Sequence, residues 1–190
     1  MIPLELKLIY TALVAVIVVV YWFKYGPANF LWGSDVALLI AVPALWLEHS
    51  LLASMMTLGV LIPEVLWNLS YFWRLLTGKS FIGLADYMFD SAKPRYLRAL
   101  SLFHVPLPLL LLWMVHRLGY TDDALLWQTL LCWVLLPLTV WLTDPKDNVN
   151  WVQGLGKRRF KHPNVYRMLL MVAVPVVVYL PTHWFLRTFF

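Results

Sequence analysis

The stretch DVALLIAVPALWLEHSLLASMMTLGVLIPEVLWNLSYFWRLL, residues 35–76, decides the fold class of this chain because nearly all of it is apolar. A transmembrane helix needs about 20 consecutive apolar residues, so this stretch is too long for one helix. We interpret it as two membrane spans that are separated only by a tight turn at MTLG, residues 56–59. The whole chain of 190 residues is 62% hydrophobic and 13% charged, about half the charged fraction of a soluble domain.

Four further segments have a similar length and composition. The sequence therefore predicts an all-α integral membrane protein that forms a single transmembrane domain over residues 1–190. Seven of the twelve prolines lie inside these segments. Each proline removes a backbone donor, so we expect a Pro-kinked bundle of six transmembrane helices. The predicted spans are residues 4–23, 35–55, 58–76, 97–116, 124–143 and 166–186.

The Lys and Arg residues are distributed unevenly between the two predicted sides of the membrane. Twelve of the fifteen follow the first, third and fifth spans, and only Lys7, Arg117 and Arg187 lie on the other side. Cytoplasmic loops carry an excess of Lys and Arg, so both termini are predicted to be non-cytoplasmic. The predicted partners are membrane lipids, with anionic headgroups at basic loops such as GLGKRRFK, residues 154–161. The same pattern disfavours nucleic acid as a partner.

Polar side chains at membrane depth are the candidates for function. A charged group near the bilayer centre costs about 2.5–3.5 kcal/mol, so it is retained only with a partner or in a wet cavity. At about 1.5 Å per residue, Glu48, His49 and Glu64 are predicted to lie in the outer half of the bundle. We expect them to converge there with further polar groups. The predicted substrate-binding residues are Asn68, Gln128, Tyr179 and His183, together with Asn150 in the fifth loop.

Carboxylates and imidazoles in such a place favour acid–base catalysis, a metal site or a proton relay. The predicted catalytic residues are Glu48, His49, Glu64, His104 and Ser50. The predicted metal ligands are His49, Glu64 and His183, which suit zinc or iron. No HxxxH or ExxH spacing supports that site, so the presence of a cofactor stays open. The structural alternative is that these groups form hydrogen bonds between helices.

Two resemblances accompany this interpretation. The phrases HSLLASM, GVLIPEVLWN, LRALSLFHVPLPLLLLW, HRLGY and TDPKDNVNW resemble a group of bacterial proteins described only as membrane-associated, which implies a bacterial inner or plasma membrane. The layout also resembles, more distantly, the six-span YwaF-like proteins and androgen-induced lipid hydrolases. The positions that carry it are His49, Tyr71-Phe72-Trp73, His104 and Asn150-Trp151. That resemblance implies a His104 base and a Ser50 or Ser54 nucleophile acting on fatty-acyl esters.

The predicted function is therefore an intramembrane enzyme that acts on a lipid acyl or ester bond. It would use buried Glu and His groups, with or without a metal, or a Ser–His pair. Two other classes stay open. One is a small proton- or ion-coupled transporter, in which Glu48 and Glu64 are the protonatable groups. The other is a non-catalytic membrane subunit or assembly factor, with which the eleven tryptophans are compatible.

Overall fold

The computed structural model describes residues 1–155 and 160–190. Within these ranges the chain is helical and has no strand, which confirms the all-α class. Half of the predicted basic cluster, residues 156–159, lies outside the described residues. The helices are α1 (Leu4–Tyr25), α2 (Gly33–Trp46), α3 (Ser50–Thr77), α4 (Arg95–Leu100), α5 (Pro106–Leu118), α6 (Ala124–Leu142), α7 (Pro163–Val174) and α8 (Leu180–Phe189).

In the described part of the chain, five helical segments are long and apolar enough to cross a membrane. This finding agrees with a helical membrane protein. The helix α2 is shorter, with 14 residues and a length of about 21 Å. The predicted span over residues 35–55 is therefore divided between α2 and α3. The five long segments are Leu4–Tyr25, Ser50–Thr77, Arg95–Leu118, Ala124–Leu142 and Pro163–Phe189.

The turn predicted at MTLG is wrong, because α3 continues through these residues without a break. The chain turns instead at Leu47, Glu48 and His49, where Glu48 has a left-handed φ of 50°. His49 then caps α3, and its Nδ1 accepts from the backbone N–H of Leu52 at 3.5 Å. Glu48 and His49 therefore lie in the turn between α2 and α3.

Gly59 allows α3 and α6 to pack closely. A Cβ at this position would collide with the side-chain amide of Gln128 on α6, 2.8 Å from its Cδ. The Gln128 amide in turn donates to the hydroxyl of Tyr179 at 3.4 Å. The glycine that suggested a turn in the sequence thus permits a helix–helix contact, as small residues do in membrane proteins.

Two helices are interrupted near prolines, as the predicted kinks require. A 3₁₀ turn over Ser101–His104 separates α4 from α5, which begins at Pro106. A π-helical turn over Pro175–Tyr179 separates α7 from α8. The first of these breaks carries His104 and positions the site described below.

The helix α3 is the centre of the bundle and packs against α2, α5, α6 and α8. At one end of the bundle, the α2–α3 turn meets the start of α1, and Lys7 pairs with Glu48 at 2.8 Å. The α5–α6 turn joins this end, since Thr121 donates to Ser54 at 3.1 Å. The opposite end holds three segments, which are residues 26–32, 78–94 and 143–155.

Gly59→Ala is expected to destabilise the protein by about 1–3 kcal/mol through overpacking. This is the opposite of the usual gain from replacing a helical glycine by alanine. Adding Gln128→Ala removes the colliding amide, so the double variant should be more stable than the sum of the single effects predicts. Thermal unfolding in detergent of the wild type, the two single variants and the double variant measures the coupling between Gly59 and Gln128. Simple additivity would show that Gly59 and Gln128 do not constrain each other.

Candidate functional site

The Glu64–His104 pair is the most enclosed ionisable contact among the described residues. Glu64 lies on α3 with 2% of its side chain exposed, and His104 lies at the end of the 3₁₀ turn with 13% exposed. The imidazole Nδ1 is 3.0 Å from Oε1 and 2.9 Å from Oε2. At least one proton must lie between the two groups, because a nitrogen and a carboxylate oxygen at this distance share a hydrogen bond.

Two prolines explain why His104 lies where it does. Pro106 has no N–H, so the carbonyl of Leu102 loses its α-helical donor and accepts instead from the N–H of Val105 at 2.9 Å, the bond of a 3₁₀ turn. Pro108 has no N–H, so the carbonyl of His104 loses the donor that an α-helix would supply four residues later. Asn68 on α3 replaces this donor, and its Nδ2 lies 2.8 Å from the His104 carbonyl oxygen. The broken helix is thereby tied to α3 beside Glu64.

Aromatic rings enclose the imidazole of His104. The ring of Trp67 stacks on it with centroids 4.5 Å apart, and the ring of Phe103 lies 4.1 Å away. The two rings fix the orientation of the imidazole. No described residue forms a hydrogen bond with Nε2 of His104, whereas Nδ1 is fully occupied by Glu64. The site therefore presents one free ring nitrogen.

Three further polar side chains lie in the same region, and the sequence interpretation missed all of them as site residues. The Tyr21 hydroxyl of α1 is 2.7 Å from Ser101 Oγ, which also donates to the carbonyl of Leu97. Asp35 in the first turn of α2 is only 4% exposed and interacts electrostatically with Glu64. An acid close to the predicted start of a span is commonly an exposed residue at a helix end. The burial of Asp35 was therefore not predictable from the sequence.

The segment 78–94 covers the site from the end of the bundle. Ala85 and Met88 pack on Trp67, and the backbone N–H of Ala85 donates to Ser70 Oγ at 3.5 Å. Arg74 holds the segment through an ion pair with Asp86 at 2.6 Å. These contacts cover the Trp67 ring and reduce the access of water to the site from this side.

The predicted catalytic residues Glu48, His49 and Ser50 lie at the opposite end of α3. Glu48 accepts hydrogen bonds from Lys7 and from the backbone N–H of Ile2, and the Lys7 bond holds the pKa of this carboxyl below its ordinary value. Ser50 accepts from the Thr121 hydroxyl at 3.3 Å. It lies 14 residues before Glu64, about 21 Å along the helix. The implied Ser50–His104 pair is therefore not formed.

The structure also separates the predicted metal ligands. His183 is hydrogen-bonded to the Tyr120 hydroxyl at 2.7 Å near the α5–α6 turn, whereas Glu64 faces His104. Across residues 1–155 and 160–190, no group of three His, Cys, Asp or Glu residues is arranged to hold a metal ion. Gln128 and Tyr179 are hydrogen-bonded to each other. Neither side chain forms a hydrogen bond with His104 or Glu64.

Asn150, a predicted substrate-binding residue, has its side-chain amide occupied by structural contacts. Its Nδ2 donates to the Leu31 carbonyl at 2.6 Å and to Thr139 Oγ1 at 3.0 Å. Its Oδ1 accepts from the backbone N–H of Gly33 at 3.0 Å, at the start of α2. Trp32 provides no side-chain cap there, so Asn150 caps the helix from a distant part of the chain. Asn68 is the predicted binding residue that does lie at the site.

Comparison of the chain with protein-family models, with curated proteins and with solved structures found no match. The function is therefore inferred from the geometry of the described residues.

Asn150→Ala is expected to lower the free energy of unfolding by about 1–3 kcal/mol, because buried donors and acceptors lose their partner. Asn150 has a φ of 50°, which costs alanine about 1–2 kcal/mol. Asn150→Gly loses the same bonds without that cost, so it should be the more stable of the two. Thermal unfolding of both variants checks this order. Wild-type stability in the glycine variant would contradict the role of the amide.

The docking of segment 78–94 is expected to depend on pH through Asp86. Burial alone raises the pKa of this carboxyl, but hydrogen bonds from Arg74 and Ser80 outweigh it and hold the pKa below 3.8. Stability from such a group is present above its unfolded pKa and is lost as pH falls through the lowered folded pKa.

Hydrogen-exchange protection of residues 78–94 should therefore fall below about pH 4. In Asp86→Asn we expect reduced protection already at neutral pH and little further change with acid. A variant that keeps the wild-type pH dependence would show that another group controls the docking of this segment.

Proposed function

We propose that the protein is an intramembrane enzyme that hydrolyses an acyl ester of a membrane lipid, with His104 as the general base and Glu64 as its positioning residue. One observation carries this proposal: a buried carboxylate holds Nδ1 of His104, while Nε2 has no partner among the described residues. This is the arrangement by which a carboxylate fixes the tautomer of a catalytic imidazole and stabilises its protonated form.

The chemistry follows from the free nitrogen. Nε2 takes a proton from a water molecule as the water oxygen bonds to the ester carbonyl carbon. The ester C–O bond then breaks, and the imidazolium returns the proton to the leaving alcohol, so that an acid and an alcohol are released. Water is the proposed nucleophile because Ser50 is distant and no described Ser, Thr or Cys is hydrogen-bonded to His104.

An apolar groove beside the site supports a lipid as the substrate. The groove lies between α3 and α5, has a volume of about 510 Å³, and opens to the outside of the bundle. This volume lies within the range of ordinary ligand sites. Asn68, which binds the His104 carbonyl, is its polar lining residue. The apolar walls include Leu61, Val65, Leu69, Phe72, Leu109 and Leu112.

The membrane placement belongs to the same proposal. The Lys7–Glu48 contact brings the end of α2 to the start of α1, and the Asn150–Gly33 contact joins its other end to the last loop. These contacts support α2 as a short sixth crossing. With Lys and Arg concentrated at the end opposite the termini, both termini are proposed to be non-cytoplasmic. The site then faces the cytoplasmic leaflet of a bacterial inner membrane, with anionic headgroups at its basic loops.

The test is hydrolysis of phospholipids in mixed micelles by the purified protein. His104→Ala should lower kcat by about 10²–10⁴-fold, as expected for loss of a general base. Glu64→Gln should lower kcat and alter its pH profile, because a neutral amide stabilises the imidazolium less well. The matched controls are His116→Ala and Glu5→Gln, which change an exposed imidazole and an exposed carboxyl far from the site.

Equal activity in His104→Ala and in His116→Ala would overturn the assignment of His104. Absence of hydrolysis by the wild type across ester-linked lipids, combined with pH-dependent uptake of a solute into liposomes, would favour the carrier class instead. Folding of each variant is checked by thermal unfolding in the same detergent.

A further inference from the structure

Arg167 on α7 carries a positive charge that no described carboxylate neutralises. Its Nε donates to the carbonyl of Val152 at 3.3 Å, its Nη1 to Oδ1 of Asn164 at 3.1 Å, and its Nη2 to Oε1 of Gln153 at 2.7 Å. All three acceptors are neutral, and no ion pair in the described part of the chain includes Arg167. A guanidinium has five N–H donors, so two of them stay available for a further acceptor.

The sequence around Arg167 provides no acid that could serve as this acceptor. The chain contains no Asp or Glu after Asp147, whereas six Lys and Arg residues follow that position. Lys161 and His162 are exposed and directly precede α7. The charge of this region therefore matches an anion from outside the chain.

A mainly apolar cavity lies beside Arg167, between α6 and α7. It has a volume of about 230 Å³ and is partly open to the outside of the bundle. Ordinary ligand sites measure about 300–1,000 Å³, so this cavity suits one part of a larger molecule. Its lining combines Arg167 with the apolar side chains of Leu136, Val140, Leu170 and Met171.

A contact at Met171 joins α6 to α7 at one end of this cavity. Pro175 has no N–H, so the carbonyl of Met171 lacks the donor that an α-helix supplies four residues later. Trp133 of α6 replaces this donor through its Nε1 at 3.0 Å. Arg167 lies one helical turn before Met171, beside the loop that follows α6. The cavity therefore has its charged group at the loop end, and its apolar side chains extend away from the loop.

This arrangement matches a phospholipid in the membrane placement proposed above. Tyr166 donates to the carbonyl of Trp151 at 2.8 Å, so the start of α7 is held at the level of the loop. Lipid headgroups lie at this boundary, while acyl chains lie alongside the transmembrane helices. Basic pockets between such helices on the cytoplasmic side bind anionic headgroups. The planar guanidinium also suits a phosphate group, which it can bind through two parallel hydrogen bonds.

We propose that the cavity between α6 and α7 binds one anionic phospholipid, with its phosphate on Arg167 and one acyl chain along the apolar lining. The phosphate provides the negative partner that the chain lacks here, and the acyl chain occupies space that protein side chains leave unfilled. This lipid is a bound component of the fold and not the substrate, because none of its contacts belongs to the Glu64–His104 site. The proposal is therefore independent of the proposed hydrolysis.

The experiment is a lipid titration of delipidated protein in detergent, followed by native mass spectrometry. The wild type should bind one equivalent of dioleoyl-phosphatidylglycerol, and it should bind dioleoyl-phosphatidylcholine more weakly because the choline cation offsets the phosphate charge. Arg167→Gln should weaken phosphatidylglycerol binding by about tenfold or more, as expected for the loss of charge-assisted hydrogen bonds. The matched control is Arg187→Gln, which removes the same charge from an exposed side chain that pairs with Asp122 at 3.4 Å.

A second pair of variants tests the acyl chain while Arg167 stays in place. Val140→Trp fills the cavity and should weaken the binding of phosphatidylglycerol. Val134→Trp adds the same ring at an exposed position of α6 outside the cavity and should leave the affinity unchanged. His104→Ala should also leave it unchanged, which separates this lipid from the proposed substrate.

Wild-type affinity for phosphatidylglycerol in Arg167→Gln or in Val140→Trp would overturn the proposal, and so would equal affinity for the two lipids in the wild type. If Arg167→Gln fails to fold, Arg167→Lys keeps the charge without the planar fork and should bind more weakly than the wild type. Loss of binding in Leu112→Trp but not in Val140→Trp would place the lipid in the α3–α5 groove instead. Thermal stabilisation by inorganic phosphate equal to that by phosphatidylglycerol would assign a site for free phosphate and reject the lipid.

Discussion

The carbonyl of His104 lacks a helical donor because residue 108 is proline, and the rest of the site depends on how this is satisfied. Asn68 supplies the missing N–H at 2.8 Å from α3. In hydrocarbon an unsatisfied carbonyl costs several kcal/mol, so this side-chain bond is close to obligatory. It fixes the rotation of the interrupted helix relative to α3 and thereby brings Nδ1 of His104 to Glu64. The free carbonyl of His104 thus determines that the imidazole of the same residue has Glu64 as its partner.

Apolar composition and the length of the apolar segments were sufficient to predict a helical membrane protein, because a helix that crosses the bilayer requires both. The position of the turn was not predictable from apolar length. Gly59 is as compatible with a turn as with a close helix contact, and only the presence of Gln128 opposite it decides between them. Glu48 and His49 were more informative than MTLG, since two polar neighbours are cheaper at a helix end than within a span.

The candidate site was predictable in part. Glu64, Asn68 and His104 were each identified by their depth in apolar sequence, but Glu64 was assigned to the wrong partners. Depth follows from residue number along a helix, whereas the direction of a side chain depends on helix rotation and on the tilt of each helix. The other predicted site residues have hydrogen-bond partners at the opposite end of the bundle: Glu48 binds Lys7, Ser50 binds Thr121 and His183 binds Tyr120. Asp35, by contrast, has a buried carboxylate oxygen without a hydrogen-bond partner among the described residues.

The distant cap on α2 has a consequence for how the site is supported. Asn150 binds the N–H of Gly33, two residues before Asp35, from a loop in which Asn148, Asn150 and Trp151 all have positive φ. Asparagine tolerates a positive φ better than most residues, but for Trp151 this conformation is unfavourable and persists only because its surroundings enforce it. The position of a buried acid is thereby linked to a strained surface loop more than a hundred residues later in the chain. A change in the conformation of this loop would therefore be felt at the start of α2, because the same asparagine belongs to both.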